Sequence, residues 1–181
     1  VYVRWFGHSC FEIRNSLAII TDPHDGQSLG LPAPKTNVDV VLISHEHFDH
    51  ASGKHLVERG AKIIDRPGIN KVKEVRFKGI DTFHDKDRGK QRGLNTIFVF
   101  KIDGMSFVHL GDLGHILSDE QLRKIGVVDI LMVPVGGIFT INAREAVEVI
   151  SKIRPKIVIP MHYWLTDSTF KGSPLSTVDE F

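Results

Sequence analysis

The chain has 181 residues, of which 41% are hydrophobic and 25% charged, with a formal net charge of +1 at pH 7. This near-neutral balance gives no global field to draw nucleic acid or an anionic membrane, so neither is expected as the main partner. A single cysteine, Cys10, excludes an internal disulfide and a structural four-cysteine zinc site, whereas ten histidines stand out for this length.

Length and composition read as one domain over 1–181, large enough to bury a core. No apolar run nears the length of a membrane span and no signal-like start is seen, so the expected localisation is cytoplasmic. Val1 to Phe6, Cys10 to Arg14 and Leu17 to Thr21 are predicted strands, with Gly7-His8 and Asn15-Ser16 as turns. Asp22-Pro23 ends the third, and Asp25 to Thr36 is a loop with two glycines and two prolines. Val38 to Ile43 is an apolar, β-branched run, predicted to be a strand buried on both faces. Ser52 to Arg59 then reads as a short helix closed by Gly60, Lys62 to Asp65 as a strand, and Arg66-Pro67-Gly68 as a turn.

Val72 to Phe83 reads as a hairpin bent at Lys78-Gly79, followed by His84 and a charged loop, Asp85 to Gly93, expected to be mobile. Asn95 to Ile102 and Met105 to Leu110 form a hairpin through Asp103-Gly104. Ser118 with Gln121, and Asn142 with Glu145, are capping boxes that open two helices; the second carries an apolar stripe of Ala143, Ala146, Val147 and Ile150. Strands over Val127 to Val135 and Lys156 to Pro160 alternate with these helices. Hairpins followed by strand–helix units, in two halves, predict an α/β (α+β) chain folded as a four-layer αββα sandwich, two mixed β-sheets face to face with helices outside.

The chemistry gathers at strand ends. His45, His47, Asp49 and His50 follow the buried strand directly, and side chains at i and i+2 of an extended segment point the same way. His84, Asp112 and His162 each lie just past the end of a later predicted strand. Ligands in sheet proteins collect at strand carboxyl ends, so these four loops are expected to meet at one mouth.

H-x-H-x-D-H at 45–50, W-F-G-H-S-C-F at 5–11, T-D-P at 21–23, H-L-G-D-L-G at 109–114 and I-P-M-H-Y at 159–163 resemble the metallo-β-lactamase superfamily, and more narrowly its L-ascorbate-6-phosphate lactonase-like branch of metal-dependent hydrolases. The resemblance spans Val1 to Tyr163; Leu113 departs from it, standing where family members commonly have threonine or serine. It implies the αββα fold and a binuclear site: His45, His47 and His84 hold one ion, Asp49, His50 and His162 the other, and Asp112 bridges. Three imidazoles suit a zinc-like ion, and a mixed carboxylate–imidazole set suits zinc, manganese or iron(II). Two such ions can share one water and present hydroxide near neutral pH.

The expected activity is therefore hydrolysis of an ester, lactone or phosphodiester of a small anionic substrate. A nuclease-type phosphodiesterase and a non-catalytic metal-binding module are the alternatives, and homo-oligomerisation stays open. Diiron oxidoreductases of the superfamily carry glutamate where His47 stands, which disfavours redox chemistry. Asp49, His8 and Tyr163 are the catalytic candidates, and Thr140, like Tyr163, offers a hydroxyl that could orient substrate, although His8 also reads as a turn residue, Tyr163 as a packing residue and Thr140 as merely preceding a helix cap. Asp22 is expected to hold the metal loop or a ligand histidine. His109 is expected to point away from the ions, Cys10 to be a buried thiol, and His24, His55 and His115 to lie at the surface. Lys86, Arg88, Lys90 and Arg92 are expected at the rim of the site, drawing an anion.

Overall fold

A computed structural model describes residues 1–57, 60–165 and 173–181. Its first sheet has five strands in sequence order: β1 (Tyr2–Trp5), β2 (Phe11–Arg14), β3 (Ala18–Thr21), β4 (Val40–Leu42) and β5 (Lys62–Ile64). The first three pair antiparallel, and β4 and β5 continue the sheet in parallel. The second sheet has six: β6 (Gly68–Val72), β7 (Val75–Phe83), β8 (Leu94–Ile102), β9 (Met105–His109), β10 (Ile130–Pro134) and β11 (Ile157–Met161), in reverse order across the sheet. It is antiparallel from β6 to β9 and parallel from β9 to β11.

Strand alternation explains the layers. Phe11, Ile13, Ile19, Val40 and Leu42 turn one way and meet Phe77, Phe98, Phe100, Phe107 and Met132 of the opposite sheet in a shared apolar core. Their neighbours turn outward. Ile20, Val41 and Ile43 pack against Ala51 and Val57 of two short helices, α1 (Phe48–Ala51) and α2 (Lys54–Val57). Val108, Leu131 and Val133 pack against α3 (Asp119–Ile125) and α4 (Ala143–Ile153). The result is the αββα sandwich expected from the pattern of elements. Both predicted capping boxes form, on Ser118 and on Asn142. Among the described residues, no helix is long and apolar enough to cross a membrane.

Several local expectations are corrected. The hairpin between β6 and β7 turns at Lys73-Glu74, and Lys78-Gly79 lies inside β7, opposite Ile69 and Gly68. Gly79 is there for proximity: a Cβ would come within 2.9 Å of the Arg66 carbonyl oxygen. The single helix expected over Ser52 to Arg59 starts earlier and is broken at Ser52-Gly53, where the Gly53 N–H donates to the Pro23 carbonyl; its expected end, Glu58 and Arg59, lies outside the described residues. In α4, Val147 is 53% exposed while Val149 is buried with Ala143 and Ala146. Leu113 is wholly buried in the apolar cluster beneath α3 and α4.

A candidate metal centre

β4 ends at Leu42, and the chain turns through Ser44 so that His45, His47, Asp49 and His50 project beyond the strand's carboxyl end; His47 caps α1 and the next two lie in it. β7, β9 and β11 of the facing sheet deliver His84, Asp112 and His162 to the same place. The Asp112 backbone is steered by two neighbours. Its N–H donates to Asn95 Oδ1 at 2.8 Å, and Asn95 is itself anchored to Thr82 and the Leu110 carbonyl. Gly111, at φ +56°, passes so close that a Cβ would lie 2.3 Å from Asn95 Oδ1.

Asp112 Oδ2 is ringed by four imidazole nitrogens. Nε2 of His162 stands at 3.1 Å, those of His50 and His84 at 3.2 Å, and that of His45 at 3.7 Å. Yet His45 Nε2, His50 Nε2 and Asp112 Oδ1 are buried with no hydrogen-bond partner among the described residues. Buried polar atoms are normally paired, so a cluster of them crowded but unbonded has the donor set and the unmet demand that a cation satisfies. The atoms fall into overlapping groups. His45, His47 and His84 form one, His8, Asp49, His50 and His162 another, and Asp112 joins His45 and His50 across them.

Charges within the cluster oppose one another. Burial would raise the Asp112 carboxyl, but the charges of His162 and His50 hold it well below the usual carboxylate range. Burial would lower His50, but Asp112 and Asp22 hold it well above the usual histidine range. For His45 burial wins, helped by the nearby His50, and its value falls to about 3. His8 is pulled to about 4 by burial and by His162, against the pull of Asp49.

His8 is no idle turn residue. Its Nε2 lies 3.0 Å from Asp49 Oδ2 and its ring centroid 4.2 Å from that of His162. Asp22 stands behind the ring of imidazoles, 2.9 Å from His50 Nδ1, as expected of a residue holding that loop. His109 points away from the cluster to the Ser9 carbonyl, and Cys10 is a buried thiol. His24, however, is wholly buried: its Nδ1 accepts from the Gly26 N–H and its Nε2 lies 3.2 Å from the Phe6 carbonyl oxygen. His115 is half-buried and accepts from the Phe83 N–H, whereas His55 is exposed as expected.

Over the centre opens a cavity of about 450 Å³, lined by His8, His47, Asp49, His84, Asp112, His162 and Tyr163 among others. Thr140 does not line it; its hydroxyl donates to the Ile141 carbonyl. The cationic loop also departs from expectation. Its backbone is wound around Asp85, whose carboxylate accepts from the N–H groups of Asp87, Gly89, Gln91 and Arg92. Lys86 pairs with Glu145 and Lys90 with Asp87, and Arg88 is not part of the lining. Of the four cations only Arg92 reaches the cavity, with its guanidinium 3.8 Å over the Phe139 ring. Nothing in the sequence pairs Arg92 with Phe139, which lies just ahead of the Asn142 capping box.

Residues 2–162 match the model of the β-lactamase superfamily domain. A metal-dependent hydrolase of Pyrococcus abyssi is 30% identical over 191 residues, covering 90% of this chain and 84% of its own. The crystal structure of a Thermotoga maritima protein, assigned as a Zn-dependent hydrolase of the metallo-β-lactamase superfamily, is 42% identical with a TM-score of 0.82, covering 99% of this chain and 82% of that one. A metallo-hydrolase of Ignicoccus hospitalis, 22% identical with a TM-score of 0.71 over 97% of this chain and 85% of that one, shares the fold.

Proposed function

The chain belongs to the metallo-β-lactamase superfamily, and on that premise we propose that it is a binuclear metal-dependent hydrolase of small esters, lactones or phosphodiesters. His45, His47 and His84 would hold one ion and Asp49, His50 and His162 the other, with Asp112 serving both. Zinc suits this set best, with manganese or iron(II) compatible. When bound, such a pair acidifies a shared water and polarises the bond under attack.

The carrying observation is the single carboxylate oxygen of Asp112 encircled by four imidazole nitrogens, with neighbouring buried lone pairs that no donor among the described residues meets. The protein's own groups do the remaining work. His8, hydrogen-bonded to Asp49 and facing the cavity, is placed to exchange a proton with the reacting water or the leaving group. Burial and His162 keep it a neutral imidazole at neutral pH, with Nε2–H donating to Asp49 and the lone pair on Nδ1. Tyr163, whose ring lies 5.5 Å from that of Trp5, presents its hydroxyl as a donor, since burial raises its phenol and keeps the proton on.

Elemental analysis after loading tests the reading. About two transition ions per chain are expected, with Asp112→Asn weakening both and His162→Ala sparing the His45–His47–His84 ion. Protein that takes up no ion near neutral pH, or that hydrolyses no member of an ester, lactone and phosphodiester panel when loaded, overturns it.

A further inference from the structure

Beside the imidazoles and carboxylates of the candidate centre, the cavity is lined by the apolar side chains of Leu29, Leu31, Phe48, Phe139, Leu165 and Leu175. Phe48 is 63% exposed, an aromatic ring standing at the lip over α1. Among the described lining residues three carry hydroxyls, Ser28, Tyr163 and Ser173; Ser28 donates to Asp25 Oδ1 at 2.6 Å, and Ser173 accepts from the Leu175 N–H at 3.2 Å. Arg92 is the one cation among the described lining residues, and its side chain has no carboxylate partner among them. Its guanidinium stands 3.8 Å over the Phe139 ring, a contact that does not consume its N–H donors, which a carboxylate can take.

Resting on the hydrolytic reading of this site, we propose that the substrate is an amphipathic monoanion: an ester or lactone with an apolar acyl or aryl body and one carboxylate. The body lies along Leu29, Leu31 and Phe48, and the carboxylate is gripped by Arg92 on its Phe139 platform. A sugar acid fits less well, because most of its hydroxyls would leave water for a lining that is largely apolar among the described residues. In the reaction, the oxygen of water joins the acyl carbon, the acyl C–O bond breaks, and the departing alcohol keeps a proton from that water.

Calorimetric titration of the metal-loaded protein with three unreactive probes separates the ideas: phenylbutyrate, phenylbutanol and phosphogluconate. Phenylbutyrate should bind at least tenfold more tightly than phosphogluconate. Arg92→Gln, at an exposed position, should weaken phenylbutyrate about tenfold, the value of a charge-assisted pair, and leave phenylbutanol unchanged. Leu31→Asn should weaken both phenyl probes alike. Tighter binding of phosphogluconate, equal loss of the acid and the alcohol in Arg92→Gln, or no binding of either phenyl probe overturns the proposal. A parallel series of nitrophenyl esters distinguishes its failure from that of the hydrolytic reading. The expected binding pattern without turnover of any ester removes hydrolysis and leaves the ligand class. Turnover of short polar esters with no gain on lengthening the acyl chain does the reverse.

Discussion

Asp22 receives Ser44 twice, its Oδ1 accepting the Ser44 N–H at 2.7 Å and its Oδ2 the Ser44 hydroxyl at 2.7 Å. Oδ2 also lies 2.9 Å from His50 Nδ1, and the Ser44 oxygen lies 2.9 Å from His45 Nδ1. One buried carboxylate therefore orients two imidazoles, His50 directly and His45 through a hydroxyl, so that both present Nε2 to Asp112.

Asp22→Asn should lower affinity for metal about 10–100-fold, the usual loss when a carboxylate behind a ligand histidine is removed. Ser44→Ala should weaken chiefly the ion held by His45. Competition against a chelator of known affinity measures both, and unchanged affinity in Asp22→Asn would mean that packing alone aligns the rings.

Loading should stabilise the fold. An ion at a hundredfold excess over its dissociation constant adds about 2.7 kcal/mol, which for a chain of this size raises Tm by about 5–10 °C. Thermal unfolding with and without chelator reads the shift. Equal Tm in both conditions would argue that the buried unpaired atoms have no cation to meet.

The sandwich and the convergence of strand ends were legible because both follow from local rules: alternation along strands, caps on helices, and polar residues clustered where strands stop. What the letters do not display is which main-chain groups a residue meets, near or far. His24 looked like a surface residue because its partners, the Gly26 N–H and the Phe6 carbonyl, are main-chain groups with no signature of their own. The charged loop looked mobile because its glycines are visible and its four bonds to Asp85 are not. Gly79 reads as a turn because a strand glycine serving close approach to Arg66 carries the same letter as one serving a bend.

Cys10 should prove inert. Burial, then the nearby charge of Asp22, pushes its thiol well above the usual range, so little reactive thiolate forms at neutral pH. Iodoacetamide should modify it only once the protein unfolds, and Cys10→Ala should leave metal content and turnover intact. Rapid labelling of the native protein would contradict its placement.

Asp39 carries a pH-dependent part of the stability. Its Oδ2 accepts the Ala18 N–H at 2.9 Å and its Oδ1 pairs with Lys73 at 2.9 Å, and these hold its carboxyl below the usual value of 3.8. A depressed acid stabilises the fold at pH above its unfolded value, and the gain is lost as pH falls through the lowered folded value. Asp39→Asn should thus cost up to about 1 kcal/mol at neutral pH, less whatever solvent screens from the half-exposed Lys73 pair. In acid the two proteins should converge, and urea unfolding at several pH values would show a constant difference if the carboxylate plays no part.

The ring around Asp112 draws on both sheets, with His45 and His50 from the first and His84 and His162, like Asp112 itself, from the second. Cutting the chain between β5 and β6 would leave one fragment with the conspicuous histidine motif and the other with the carboxylate it surrounds. Neither fragment would inherit a diminished version of the centre, since each would hold ligands facing a partner that had gone. Assembly of the two sheets and construction of the site are one event, so on the proposed reading metal uptake would double as a gauge of whether the halves have docked.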